Sequence, residues 1–176
     1  MIQIQENFLP KDHLQKIKDW IVTNEYLDDF DEAKRAFSVT YRDFDLPQLL
    51  QPWLSPGYNT YHFIGIITDK SGSIDEHVDE ELVKMFNEQY GRPIRYPQTR
   101  VLYVDIDESM IGGELVSHNT TIKPVTNMLA TMDPKTIHSV NVVESTETPR
   151  IVLVCELYKL LNINYVTLDT PIYSYG

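Results

Sequence analysis

The stretch from Thr99 to Glu156 limits the possible folds of this chain most strongly, because turn residues divide it into short apolar runs. Gly112-Gly113, Pro124 and Asp133-Pro134 separate the runs, and a polar hairpin tip at residues 144–149 precedes the β-branched run IVLVC. Short strands at this spacing, broken by Gly, Pro and Asp, are typical of an antiparallel sandwich or barrel. The sequence therefore predicts a mainly β fold.

The size and charge of the chain limit its function. A chain of 176 residues is the size of one domain with a substantial core, and 42% hydrophobic with 23% charged residues is an ordinary globular composition. The net charge is −11, from 26 acidic and 15 basic residues. Such a surface repels a phosphate backbone, so we expect no nucleic-acid partner. A neutral or cationic substrate is easier to accommodate.

The single cysteine and the apolar segments indicate a cellular location. Cys155 lies inside an apolar run, where a buried, inert thiol is expected, and one cysteine cannot form an intrachain disulfide. The N-terminus lacks the pattern of a signal peptide, and no apolar segment approaches the ~20 residues of a membrane span. We therefore expect a cytoplasmic protein without a membrane partner.

The first third of the chain is predicted to support the β core. A short strand with Ile2 and Ile4 precedes a helix whose apolar stripe is Leu14, Ile17 and Ile21, which suits a helix that covers one side of a sheet. Residues 25–57 are acidic, rich in aromatic residues and interrupted by prolines, and we expect a mixture of helix and loop there. Residues 58–68 are predicted to form a strand in which His62 is a packed core residue without a functional role.

The segment from Ser73 to Glu80 has two interpretations. Ser73 and Glu76 match a capping box, which favours a helix with His77 and Asp79 exposed on its surface. Alternatively, residues 73–78 are extended and a helix begins after Asp79. On an extended chain His77 and Asp79 point to the same face, so one imidazole and one carboxylate can meet a single metal.

Two later residues complete a possible site. Two histidines and one carboxylate form the facial triad of non-haem Fe(II) oxygenases, and His138 is available 59 residues after Asp79. Arg150 opens the final strand of the block, 12 residues after His138. It is either a solvent-facing residue at a hairpin end or a buried guanidinium, and a buried guanidinium requires an anion.

Five segments in this order resemble the 2-oxoglutarate/Fe(II)-dependent dioxygenases, specifically their prolyl-hydroxylase-like branch. The segments are FIGIITDKSGSIDEHVDE, TRVLYVDID, GGEL, IKPVTNMLATMD and IHSVNVVESTETPRIVLV. The resemblance implies a double-stranded β-helix, a jelly-roll or cupin-like fold with flanking helices. It implies one oxygenase domain over residues 1–176, with N-terminal helical support at 1–57 and a β-helix core at 58–160.

The resemblance also implies the chemistry and the residues of the site. His77, Asp79 and His138 match the Fe(II) ligands, and Arg150 and Tyr103 match residues that bind the distal carboxylate of 2-oxoglutarate. With dioxygen as the second co-substrate, the reaction hydroxylates an unactivated C–H bond and releases succinate and CO2. The expected substrate is a prolyl or other amino-acid side chain in a protein, a peptide or a free amino acid.

The sequence departs from the family pattern at three places, one of which is a hairpin between His138 and Arg150 that is a little longer than usual. Val152 stands where many relatives carry a small polar residue, and residues 81–91 are predicted to form an inserted helix. The alternative function is a non-catalytic, cupin-like β-sandwich that binds a partner without metal.

Overall fold

The computed structural model describes residues 1–79, 94–118 and 120–160. This part of the chain contains one α-helix, α1 (Lys11–Val22), and a short 3-10 helix at Gln48–Trp53. Its strands are β1 (Gln3–Gln5), β2 (Asp28–Asp31), β3 (Lys34–Arg42), β4 (Thr60–Thr68), β5 (Ile74–His77), β6 (Ile94–Asp105), β7 (Ile111–Gly112), β8 (Leu115–Ser117), β9 (Thr120–Ile122), β10 (Met128–Met132), β11 (His138–Val140), β12 (Val143–Ser145) and β13 (Arg150–Leu160).

Seven of these strands form the major sheet, in the order β1-β10-β6-β13-β4-β3-β2. All of its pairings are antiparallel, and β13 lies between β4 and β6. The β13–β4 ladder runs without interruption from the Arg150–Thr68 pair to the Tyr158–Thr60 pair. Because opposed residues of an antiparallel pair point to the same face, this register assigns the side chains of both strands to the two faces of the sheet.

The outer face of the major sheet packs on α1 and the 3-10 helix. Its core includes Leu102 of β6, Leu153 and Cys155 of β13, and Ile17 and Ile21 of α1. Each fully buried aliphatic side chain of this kind stabilises the fold by about 1.5–3 kcal/mol. The predicted helix that covers a sheet is confirmed, and so is the buried Cys155. No helix in the described part of the chain is long and apolar enough to cross a membrane.

The inner face of the major sheet packs against two smaller sheets. One has the order β5-β11-β8-β9 and the other pairs β12 with β7. Leu115 of β8 and Val143 of β12 share a second apolar cluster with Val101 and Val152 of the major sheet. The described residues thus form a sandwich with one core between its sheets and another beneath α1.

The prediction of helix and loop for residues 25–57 is wrong for residues 28–42. These residues form β2 and β3, which extend the major sheet beyond β4. Phe37, Val39 and Tyr41 alternate with polar residues in β3 and pack on the core beneath α1. This period of two is the signal of a strand, so the region of residues 1–57 contributes strands as well as helical support.

Gly112 occupies a position that other residues cannot adopt, and its substitution gives the first prediction. Its φ is +82°, and a Cβ atom would lie 1.9 Å from the Val142 carbonyl oxygen. Gly57 also has a positive φ, +92°, but a Cβ atom there meets nothing within 4 Å. We expect Gly57→Ala to cost about 1–2 kcal/mol of unfolding free energy from backbone strain alone.

Gly112→Ala should cost at least about 2 kcal/mol more than Gly57→Ala, because the β7–β12 pair must separate to admit the methyl group. Urea denaturation of the two variants measures the difference. Equal losses would mean that the close approach of Val142 does not constrain the pair.

Candidate metal and co-substrate site

The segment before Asp79 is extended, as the second of the two interpretations predicted. Ile74–His77 forms β5 and pairs with β11, and His77 lies directly opposite His138. The helical interpretation of residues 74–79 is therefore wrong. The predicted helix over residues 81–91 lies outside the described residues.

The β5–β11 pair brings the three predicted metal ligands together. The imidazole rings of His77 and His138 have their centroids 4.2 Å apart. Asp79 Oδ1 lies 3.5 Å from His77 Nε2 and 3.9 Å from His138 Nε2. One ligand atom from each residue lies within 4.8 Å of the other two. The side chains of Asp79 and His138 are 9% and 8% exposed, while that of His77 is 38% exposed, so the cluster opens on one side.

Backbone carbonyl groups fix the orientation of both histidine rings. His77 Nδ1 lies 2.8 Å from the Asp75 carbonyl oxygen, and His138 Nδ1 lies 2.8 Å from that of Thr136. A carbonyl oxygen can only accept a hydrogen bond, so each Nδ1 carries the proton. The lone pair of each neutral ring is then on Nε2, which faces the Asp79 carboxylate. Second-nitrogen hydrogen bonds of this kind are usual for metal-binding histidines.

The lone pairs that converge in this cluster need a positive charge. The Asp79 Oδ2 atom is buried and has no hydrogen-bond partner among the described residues. The hydrogen bond with Asp79 raises the pKa of His77 above its usual value, although partial burial opposes the rise. A proton shared with His77 can supply the charge, but it serves only one histidine. A metal ion bound by all three groups serves both histidines and the carboxylate.

The Arg150 side chain is buried rather than exposed at a hairpin end. It is 1% exposed on the inner face of the major sheet, and its Nε and Nη1 atoms have no hydrogen-bond partner among the described residues. Burial lowers the pKa of the Arg150 guanidinium, but the group remains charged at neutral pH. A desolvated cation with free donors is suited to a carboxylate ligand.

Two hydroxyl groups lie beside this guanidinium. The Arg150 Cζ atom is 5.3 Å from the centre of the Tyr103 ring, and burial raises the pKa of Tyr103. Thr68 stands directly opposite Arg150 in the β4–β13 ladder and is also buried. The Tyr103 and Thr68 hydroxyl groups lack hydrogen-bond partners among the described residues. These two hydroxyl groups add hydrogen-bond donors near Arg150, whereas Val152 has an apolar side chain and offers none.

Comparisons with known proteins give the fold. No protein-family model matches the chain, and no curated protein matches its sequence. A Pseudomonas putida prolyl-4-hydroxylase structure is similar at a TM-score of 0.58 and 16% identity, over 89% of this chain and 91% of that one. The viral collagen prolyl hydroxylase vCPH from Paramecium Bursaria Chlorella virus-1, in a 2OG complex, is similar at 0.60 and 11% identity, over 89% and 95%. The chain has the fold of these two structures.

A third similar structure contains both a metal ion and 2-oxoglutarate. HygX from Streptomyces hygroscopicus, with nickel and 2-oxoglutarate bound, is similar at a TM-score of 0.60 and 8% identity, over 89% of this chain and 82% of that one. The predicted double-stranded β-helix is therefore confirmed. In this fold, the inner face of the major sheet carries Arg150 and Tyr103, and the β5–β11 pair carries His77 and His138.

Sequence reasoning missed several polar groups of this region. Thr68 is the last residue of the apolar strand β4. Only its register with β13 places it opposite Arg150. The carbonyl groups of Asp75 and Thr136 are backbone atoms and leave no signal in residue type. Glu156 opposes His62 on the inner face and was visible in the sequence only as a polar residue inside an apolar strand. His62 is buried and lies 2.7 Å from the Thr40 hydroxyl, as a packed core histidine should be.

Proposed function

We propose that the chain is an Fe(II)- and 2-oxoglutarate-dependent dioxygenase that hydroxylates an unactivated C–H bond. The observation that carries the proposal is one fold holding both a His-Asp-His cluster and a buried guanidinium with free donors. The cluster is suited to bind a cation, and the guanidinium is suited to bind an anion. Structures of similar fold include a 2OG complex and a protein with nickel and 2-oxoglutarate bound.

In this proposal His77, Asp79 and His138 bind the iron. The Nε2 atoms of the two histidines and one Asp79 oxygen are the ligand atoms, because the Nδ1 atoms donate to carbonyl groups. Two neutral nitrogens and one carboxylate suit Fe(II) and leave coordination positions for other ligands. The hydrogen bonds to Asp75 and Thr136 hold the rings in orientation before the metal arrives, so less ordering is needed on binding.

Arg150 and Tyr103 bind the distal carboxylate of 2-oxoglutarate, and Thr68 assists them. The buried guanidinium offers a bidentate donor pair, and the two hydroxyl groups add further hydrogen bonds. The Nε and Nη1 atoms of Arg150 and the two hydroxyl groups are buried and have no hydrogen-bond partner among the described residues, so the carboxylate meets donors that are already in place.

The protein positions the reactants, and the iron supplies the oxidation. With iron, 2-oxoglutarate and dioxygen bound, one oxygen atom enters the substrate as a hydroxyl group and the other enters succinate, with release of CO2. The ligand residues and Arg150 fix where the co-substrate lies. Val152 and Val154 follow Arg150 on the inner face of β13 and pack in the second apolar cluster.

The proposed substrate is an amino-acid side chain, in a protein, a peptide or a free amino acid. Two of the similar structures are prolyl hydroxylases, which supports a protein or peptide. The net charge of −11 disfavours a nucleic acid as the substrate.

Formation of succinate tests the proposed function. The protein is incubated in air with Fe(II), ascorbate and 2-oxoglutarate, and succinate is measured by mass spectrometry. We expect succinate at a slow rate without substrate, none after EDTA treatment, and none when Zn(II) replaces Fe(II), because zinc has no redox chemistry. Metal uptake without any succinate would indicate a cupin-like binding module that retains the metal.

A further inference from the structure

One tight turn connects the major sheet to the four-stranded sheet. Residues 133–136 form this turn, which follows β10 and precedes β11. The Thr136 amide donates a 2.8 Å hydrogen bond to the Asp133 carbonyl oxygen, which closes a β-turn with Pro134 at its second position. The Asp133 carboxylate accepts a 2.8 Å hydrogen bond from the Lys135 amide. Aspartate at the first position and proline at the second are residues that favour such a turn.

The backbone of the 133–136 turn contacts two of the three candidate metal ligands. The Thr136 carbonyl oxygen lies 2.8 Å from Nδ1 of His138 and orients its ring. The Pro134 carbonyl oxygen accepts a 2.9 Å hydrogen bond from the backbone amide of Asp79. Because both carbonyl groups belong to one turn, the separation of His138 and Asp79 depends on the conformation of that turn.

The third candidate ligand is linked to the same turn through the β5–β11 pair. His77 lies directly opposite His138, so its position follows that of β11. β11 is only three residues long and begins two residues after the turn. The Ser117 hydroxyl donates a 2.8 Å hydrogen bond to the carbonyl oxygen of Ile137, the residue between the turn and the strand. A change in the turn therefore alters the positions of all three ligands.

The ligands of an empty site need such a restraint. The buried Oδ2 atom of Asp79 has no hydrogen-bond partner among the described residues, and the histidine lone pairs face the same carboxylate. Unpaired acceptors gain hydrogen bonds when they move out to water, so the metal-free cluster tends to open. Pro134 is buried and Asp133 is exposed, so the turn is anchored in the core while its conformation is set by a surface carboxylate.

We propose that Asp133 is a positioning residue of the metal site: through the 133–136 turn it holds Asp79 and His138 at the separation that a metal ion requires before the ion binds. This inference rests on the proposed function and adds a residue whose side chain acts through the backbone of the turn. Less ordering is needed when a metal binds to ligands that are already in place, so the turn increases the affinity for metal.

Metal affinity and amide exchange in two Asp133 variants test the inference. The Kd for Mn(II) is measured by calorimetry without oxygen, and hydrogen exchange of the Asp79 amide is measured in the metal-free protein. We expect Asp133→Ala to raise both the Kd and the exchange rate about fivefold or more, the size expected for the loss of one ordering hydrogen bond.

Asp133→Asn should restore both values, because the side-chain oxygen of asparagine also accepts a hydrogen bond from the Lys135 amide. Like Asp133→Ala, this variant lacks the negative charge of the carboxylate. Rescue by asparagine therefore separates the effect of the turn from electrostatic attraction of the cation.

Asn24→Ala is the control, because Asn24 accepts a hydrogen bond of the same kind from the Tyr26 amide, just after α1 on the outer side of the major sheet. It should change neither the Kd nor the exchange rate of the Asp79 amide, even where it lowers the melting temperature as much as Asp133→Ala does.

Two results would overturn the inference while wild-type protein still binds Mn(II). One is an unchanged Kd or an unchanged exchange rate in Asp133→Ala, and the other is an Asp133→Asn protein that binds Mn(II) as weakly as Asp133→Ala. A wild-type protein that takes up no Mn(II) would overturn the proposed function itself, and the inference with it.

Discussion

Replacing Arg150 with methionine is expected to weaken 2-oxoglutarate binding at least about 30-fold without destabilising the ligand-free protein. The guanidinium is buried and its Nε and Nη1 atoms have no partner among the described residues, so the ligand-free fold gains little from it. Loss of one partner from a buried charged pair costs about 2–5 kcal/mol of binding free energy. An apolar side chain of similar volume can stabilise such a position by about 1–4 kcal/mol.

Two measurements on the Arg150→Met protein check this expectation: the Kd for 2-oxoglutarate and the free energy of unfolding without ligand. Arg35→Met is the matched control, because Arg35 is exposed on β3. It should change neither quantity by more than a small amount. A destabilised Arg150→Met protein with unchanged affinity for 2-oxoglutarate would show that Arg150 is a structural residue.

Removing either Asp79 or His138 is expected to abolish metal-dependent stabilisation. A metal ion that binds only the folded state stabilises it by about 2.7 kcal/mol at 100 times its Kd. Asp79→Ala and His138→Ala each delete one of three ligands, and the affinity should fall by at least about 100-fold, more than changes to the groups behind a ligand typically cause. The rise in melting temperature with Mn(II) should therefore disappear in both variants.

A different result is expected for Asp79→Ala in the absence of metal. Asp79→Ala removes a buried oxygen without a partner together with one that pairs with His77, so the stability of the metal-free protein should change little. His118→Asn is the control, since His118 is exposed and has a φ of +48° that asparagine tolerates. A Mn(II)-dependent shift that persists in both ligand variants would place metal binding elsewhere.

The sequence predicted those helices and strands in which the spacing of apolar residues matches the face that is buried. The apolar run after Arg150 and the stripe of Ile17 and Ile21 both gave the observed structure, because burial on one face produces a clear period. The alternation of Phe37, Val39 and Tyr41 carried the same signal, but the acidic and aromatic residues around it obscured β3.

The site could be predicted only as a set of residue types. The conformation of His77 depends on its pairing with His138, a contact between residues 61 positions apart, whereas the local capping pattern at Ser73 favoured a helix. Tertiary pairing overrode that local preference. The orientation of the rings depends on register, which no local pattern encodes.

The central claim is that one site holds both a metal ion and 2-oxoglutarate, and an anaerobic titration tests it most directly. Fe(II) is added to the protein with 2-oxoglutarate, and the visible charge-transfer band of the iron chelate is followed. We predict a saturable band in the wild-type protein, no band in Asp79→Ala and a much weaker one in Arg150→Met at the same 2-oxoglutarate concentration. Absence of both the band and metal uptake in the wild-type protein would contradict the claim.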